Sequence, residues 1–218
     1  MKKLVIFDLD GTLLNTIADL AQSCNYALQQ LGYPTHEPDT YFYRVGNGIN
    51  KLLERALPEV EQNENNVQRM RTEFIPHYNL HNADKSVPYP GICDLLEQLQ
   101  QAGIMLAVAS NKYQAATEKL IAHYFPNINF IAVLGQRENI PIKPNPAIVN
   151  DILYISKQLK EDTLYVGDSG VDMQTAKNAG VTACGVTWGF RPRSELEQYL
   201  PAYIVEDVMS IFEIATKC

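Results

Sequence analysis

The 218-residue sequence predicts an α/β protein: a doubly wound parallel sheet carrying a small inserted α-helical cap domain. Three observations lead there. The apolar run Leu4-Val5-Ile6-Phe7 ends in the acidic turn Asp8-Leu9-Asp10-Gly11-Thr12, the pattern of a strand buried on both faces. From Val87 onward, helical and strand-like segments alternate, as a parallel sheet requires. Between these parts, residues 15–82 show helical periodicity and no convincing strand. The division expected is therefore a core of residues 1–14 and 83–218, interrupted by a helical cap over 15–82.

Each element has its own warrant. In the insert, Ile17, Leu20, Ala21, Cys24, Ala27, Leu28 and Leu31 recur at helical spacing until Gly32. Thr16 and Asp19 resemble a capping start. A second helix is expected over Ile49 to Leu57 and a third from about Asn66 to Leu80. In the core, Ile92, Leu95, Leu96 and Leu99 line a helix closed by Gly103. A strand from Ile104 to Ala109 follows and ends in Ser110-Asn111. A helix over Gln114 to Tyr124 leads to a strand near Phe130 to Leu134. Pro144 and Pro146 open a helix over Ala147 to Leu159. Thr163 to Val166 reads as a strand ending in Gly167-Asp168, Asp172 to Ala179 as a helix stopped by Gly180, and Thr182 to Thr187 as a strand. Ala202 to Val205 and Val208 to Ala215 complete the chain as a short strand and a terminal helix.

Composition narrows the function classes. Hydrophobic residues make up 46% and charged residues 20%, ordinary for a globular chain. The net charge of −7 comes without any basic block longer than Lys2-Lys3, which argues against a nucleic-acid partner. Nothing approaches the roughly 20 apolar residues of a membrane span. Cys24, Cys93, Cys184 and Cys218 have no zinc-type spacing; they read as reduced, mostly buried thiols of a soluble cytoplasmic protein. The expected oligomeric state is a monomer or weak homodimer.

The polar residues fall where chemistry is expected. Asp8 and Asp10, Ser110 and Asn111, and Asp168 each follow the carboxyl end of an apolar strand, and in a doubly wound sheet those ends share one crevice. Carboxylates there can hold a hard cation such as Mg²⁺, which prefers oxygen ligands, and can attack phosphorus. Lys143, between Pro141 and Pro144, can reach the same crevice and share phosphate charge, while Ser110 and Asn111 offer a hydroxyl, an amide and backbone N–H groups. Taken singly, Lys143 reads as a surface lysine, Ser110-Asn111 as a turn and Asp172 as an acid near a helix amino terminus. Their joint order at successive strand ends points to one site.

These motifs, Asp8-Leu9-Asp10-Gly11-Thr12, Ser110-Asn111, Lys143 before a proline, and Gly167-Asp168-Ser169-Gly170-Val171-Asp172, resemble the four ordered motifs of the haloacid dehalogenase superfamily over essentially the whole chain. Arg44-Val45-Gly46-Asn47-Gly48, Pro88-Tyr89-Pro90-Gly91 and Val186-Thr187-Trp188-Gly189 look most like its phosphoglycolate phosphatase branch. The resemblance implies a Rossmannoid core and Mg²⁺-dependent hydrolysis of a small-molecule phosphate ester through an aspartyl-phosphate. Asp8 would be nucleophile and metal ligand. Asp10 would be general acid, then base, with its carbonyl on the metal. Ser110 and Lys143 would hold phosphoryl oxygens, Asp168 would bind the metal and Asp172 would support it. One departure is Asn15, where relatives often carry aspartate.

In the insert, Gly46-Asn47-Gly48 opening a helix can present N–H groups to an anion, and Arg44 can pair with a substrate carboxylate. That combination suits 2-phosphoglycolate. The motifs also fit a phosphatase of broader sugar-phosphate, nucleotide or pyrophosphate specificity, and a phosphomutase of the β-phosphoglucomutase kind. Haloalkanoate dehalogenation does not need Asp10. A phosphonate-cleaving enzyme needs a cap lysine, and Lys51 stands in a different context. A receiver-like phospho-acceptor module is the non-enzyme alternative, but it places its acidic pair and its phospho-acceptor on different strands.

Overall fold

Four residues at the amino end of the chain set the architecture. Leu4, Val5, Ile6 and Phe7 are all completely buried, each contributing about 1.5–3 kcal/mol by burial, and the rest of the sheet is assembled around them. The structure, a computed structural model, describes residues 1–217. Its strands are Leu4–Phe7 (β1), Leu14–Asn15 (β2), Val87–Pro88 (β3), Met105–Tyr113 (β4), Phe130–Gln136 (β5), Thr163–Gly167 (β6), Thr182–Val186 (β7) and Tyr203–Val205 (β8). Its helices are Ile17–Gln30 (α1), Gly48–Ala56 (α2), Glu64–His81 (α3), Ile92–Gln101 (α4), Gln114–Tyr124 (α5), Ala147–Ser156 (α6), Gly170–Ala179 (α7), Arg193–Glu197 (α8) and Met209–Thr216 (α9).

The main sheet has the order β5-β4-β1-β6-β7-β8, and all its pairings are parallel. Alternation along β1 sends Val5 and Phe7 into one apolar layer with α4, α5 and α9, and Leu4 and Ile6 into the opposite layer with α6 and α7. This is the doubly wound sheet expected from the sequence. A separate apolar cluster joins α1, α2 and α3, with Tyr41, Phe74 and Tyr78 among its buried aromatics. No helix among the described residues is long and apolar enough to cross a membrane.

Several expectations need correction. The start of the insert is not strandless: Leu14–Asn15 pairs antiparallel with Val87–Pro88 where the chain enters and leaves it, a two-residue ribbon too short to show a period of two. Strand β4 does not end at Ala109 but runs on to Tyr113, across a break in register. Helix α6 stops at Ser156 because Lys157 turns left-handed, with φ 56°. Short 3₁₀ turns at Pro38–Tyr43 and Glu59–Glu61, and helix α8, were not foreseen. Of the cysteines, Cys24 and Cys184 are buried but Cys93 is exposed; Cys218 lies outside the described residues.

Thr16 and Asp19 do not form the expected cap. Thr16 has no capping hydrogen bond; its hydroxyl donates instead to Asp10 Oδ1 at 2.6 Å. Asp19, fully buried, accepts from Lys85 N at 3.0 Å, Ser86 N at 2.8 Å and Ser86 Oγ at 2.7 Å. It therefore ties α1 to the segment that returns from the insert. Because Asp19→Ala leaves those donors buried without an acceptor, it is expected to cost about 3 kcal/mol, and Ser86→Ala about 1 kcal/mol. Urea denaturation measures both, and an Asp19→Ala chain as stable as the wild type would remove the latch.

Candidate active site

The register of three neighbouring strands brings the site together. Phe7 pairs with Val108 on one side and with Val166 on the other. Asp8, one residue past Phe7, is therefore level with Ala109 and Gly167, and Ser110 and Asp168 lie one residue further along the same edge. Gly11 makes the turn after β1 with φ 89°, a conformation that favours glycine, and it lies so close to the Asp168 carboxylate that a side chain would collide with it.

Lys143 stands at the centre. Its ammonium is buried and lies 2.9 Å from Asp8 Oδ1 and 2.7 Å from Asp172 Oδ1. It also donates to Ala109 O at 2.9 Å and Tyr165 Oη at 3.2 Å. Asp172 is spoken for in full: Oδ2 accepts from Ser169 N and Ser169 Oγ in a capping box that opens α7, and Oδ1 also accepts from Tyr165. Asp168 accepts from Phe190 N at 2.7 Å and from Thr12 Oγ1 at 3.4 Å. Asp8, Asp168 and Asp172 each place one oxygen within 4.8 Å of the others.

Asp10 faces different company. Its Oδ1 accepts from Thr16 and its Oδ2 from Lys112 Nζ at 2.9 Å. Lys112 was missed in the sequence because the strand was expected to stop at Ala109; on the longer strand it shares a face with Ser110, two residues before it. Ser110 is buried, and its Oγ accepts from Lys112 N at 3.2 Å.

Two expected phosphate or substrate binders are otherwise engaged. Asn111 uses its amide structurally, donating to Gly46 O at 3.0 Å and Lys143 O at 3.1 Å and accepting from Lys143 N at 2.8 Å. Arg44 is not brought to the site: its guanidinium donates to Thr40 O and Arg55 O and packs over Tyr41. Asn47 Oδ1 accepts from Arg55, whereas Gly46 and Gly48 line the cleft with Asp8, Asp10, Ser110, Lys112 and Lys143. The cleft is partly open to solvent.

Residues 5–186 match the haloacid dehalogenase-like hydrolase family. The chain belongs to that family. It is 34% identical to a phosphoglycolate phosphatase of Agrobacterium fabrum, over 97% of this chain and 91% of that one. It is 31% identical to a phosphoglycolate phosphatase of Vibrio parahaemolyticus, over 97% and 95%. A crystal structure from Lactobacillus delbrueckii subsp. bulgaricus, provisionally named a phosphoglycolate phosphatase, superimposes with a TM-score of 0.93 at 31% identity, covering the whole of both chains. The haloacid dehalogenase-like chain is thus a phosphatase, phosphoglycolate phosphatase-like nearly end to end.

The electrostatics of this hydrolase are unbalanced in a telling way. Three buried carboxylates lie together, and the one buried ammonium beside them pairs with two, Asp8 and Asp172. Burial, with the charge of Asp172, pushes Asp8 up to about 7 against the pull of Lys143. The same two causes hold Asp168 well above the ordinary carboxylate range. An all-oxygen, negatively overcharged donor set is what a hard divalent cation requires, so the residues present fit Mg²⁺.

A pH dependence follows from Asp8. Between about 4, the ordinary carboxylate value, and about 7, the unfolded chain has lost this proton and the folded chain retains it. Stability without divalent cations therefore falls as pH rises through that window. The Asp8→Asn chain, with nothing to ionise there, should lose less. Urea unfolding in EDTA at stepped pH checks it, and equal slopes for the two chains would contradict it.

Proposed function

We propose that the chain is a Mg²⁺-dependent phosphomonoester hydrolase that works through an aspartyl-phosphate on Asp8 and acts on a small phosphorylated acid, 2-phosphoglycolate. The observation that carries the mechanism is the contrast between two neighbouring carboxylates. Asp8 sits with Lys143 in the carboxylate cluster, while Asp10 turns away to Thr16 and Lys112. Different surroundings are how paired carboxylates take different roles.

In the proposed cycle, an Asp8 carboxylate oxygen attacks phosphorus and the bond from phosphorus to the ester oxygen breaks. Asp10 gives its proton to that leaving oxygen. Asp10, now a carboxylate, takes a proton from water as the water attacks phosphorus. The acyl-phosphate bond then breaks, releasing phosphate and restoring both side chains. Splitting the hydrolysis in this way replaces one hard step with two easier ones. The Ser110 hydroxyl and the Lys143 ammonium donate to the non-bridging oxygens. Mg²⁺, when held by Asp8, Asp168 and the Asp10 carbonyl, would neutralise the charge that otherwise keeps a carboxylate from a phosphate dianion. Asp172 anchors Lys143 and the start of α7, supporting these groups without touching substrate.

The helical segment 15–82 would act as the cap over this site. Leu20, Val45, Ile49, Leu52 and Phe74 form the apolar wall of the cleft, leaving room for a small substrate and excluding water from the reacting atoms. The substrate assignment is supported by the names of the relatives at 30% identity and above.

Phosphate release from 2-phosphoglycolate and from p-nitrophenyl phosphate tests the reading. EDTA should stop both reactions and added Mg²⁺ should restore them. Asp8→Asn should lower turnover by at least about 10⁴-fold, since no nucleophile remains. Retained turnover in Asp8→Asn, or a broad panel in which sugar phosphates exceed 2-phosphoglycolate in kcat/KM, would overturn the mechanism or the substrate respectively.

A further inference from the structure

Resting on the phosphoglycolate phosphatase reading, we propose that Lys112 is the residue that selects the substrate, its ammonium receiving the carboxylate at the far end of a short phosphorylated acid. The cleft lining contains two cationic side chains, Lys112 and Lys143. Lys143 is taken up by Asp8, Asp172, Ala109 O and Tyr165 and, in the proposed cycle, by the phosphoryl group that Asp8 receives. Lys112 is not. Its side chain is only 3% exposed, yet among the described residues its ammonium has a single acceptor, Asp10 Oδ2 at 2.9 Å.

An ammonium carries three donors, so two N–H groups of Lys112 are left over in a buried place, where an unmade hydrogen bond is costly. One flank is covered by the ring of Tyr78, 4.8 Å from the ammonium. Tyr78 also lines the cleft and is itself fully buried, and its hydroxyl has no hydrogen-bond partner. Two buried side chains with unused donors, one of them bonded to Asp10, thus pack against each other in the cleft lining. The wall around them is apolar, through Leu20, Ile49, Leu52 and Phe74, which strengthens attraction for an anion and penalises a neutral polar group.

Geometry fits a two-carbon acid. Asp10 is the group that hands a proton to the ester oxygen, and Lys112 is hydrogen-bonded to Asp10. In 2-phosphoglycolate the carboxylate carbon is only two bonds from that ester oxygen, so its oxygens fall beside the ammonium. An acid on a longer chain overshoots toward the apolar wall. Arg44, the cation that the sequence nominated for this task, is held by the carbonyls of Thr40 and Arg55 instead.

The test uses a matched pair, 2-phosphoglycolate and ethyl phosphate, which differ only in carboxylate against methyl. With Mg²⁺ supplied, kcat/KM is measured for both on the wild type, Lys112→Met and Lys112→Arg. Any misfolded fraction, and any shared effect passed through Asp10, divides out of the ratio of the two substrates. The expected result is that Lys112→Met loses about 10- to 100-fold of the wild-type preference for the acid, the size of one charged hydrogen bond, mostly in KM, and that Lys112→Arg keeps part of it. If Lys112→Met loses activity equally on both substrates, Lys112 serves only Asp10 and the proposal is overturned while the phosphoglycolate reading stands. If the wild type shows no preference for the acid, that reading falls and takes this assignment with it.

Discussion

Everything at the carboxyl edge of the sheet is organised around one buried ammonium. Lys143 is a long, charged side chain in a place that such chains almost never occupy unless paired. Here it holds two carboxylates, a carbonyl of β4 and a phenol. Its backbone is fixed as firmly as its head, since the Asn111 amide grips both the N–H and the carbonyl of Lys143. Removing one member of such a group leaves the others buried and unpaired, which costs more than the pair itself is worth. The cluster is therefore an expensive arrangement for stability and a good one for holding charge in a fixed geometry, the condition under which electrostatic catalysis is effective.

That arrangement also separates Asp8 from Asp10. In an uninterrupted strand, residues two apart point to the same face, and two carboxylates so placed would repel. The chain leaves the strand after Phe7, and Gly11 turns it. Asp8 stays with Lys143, while Asp10 is drawn off by Thr16 and Lys112. Thr16 forgoes a helix cap for this role, and Asp19, its neighbour on α1, spends its carboxylate on Lys85 and Ser86. Local helix-capping preference is overruled by the site on one side and by the return of the insert on the other.

How much of this was legible follows from the same contrasts. The parallel sheet was readable because each strand's apolar run is long enough to carry its own signal, and the register of β1 with β4 and β6 then places Asp8, Ser110 and Asp168 together without further information. Lys112 was not readable, because its importance depends on β4 continuing past polar residues, and polarity was taken as the strand's end. Arg44 was legible as a cation near the glycine loop but not as one already claimed by nearby carbonyls. Asn111 was read by its chemistry as a donor to phosphate, whereas its neighbours in space decide that it is a clamp. Donor type can be read from sequence; whether a donor is still free is a property of the folded chain.

The loop after β7 shows why the insert and the catalytic edge belong to one device. Trp188 Nε1 donates to Thr12 O at 3.1 Å, Phe190 N donates to Asp168, and Arg191 donates to the carbonyls of Phe42 and Val45 in the insert. Gly189 lies between them against Gly11 O and Asp168, with no room for a side chain. On the other side of the cleft, Asn111 bonds Gly46 of the insert as well as Lys143. The residues that fix Asp168 and Lys143 are therefore the same ones, or the immediate neighbours of the ones, that hold the insert over the cleft. The insert is held by bonds to Gly46 O, Val45 O and Phe42 O, given by Asn111, which also grips Lys143, and by Arg191, the residue after the Phe190 that donates to Asp168. The position of the insert and the geometry of the carboxylate cluster are therefore fixed by one shared set of bonds, so that a change in either disturbs the other.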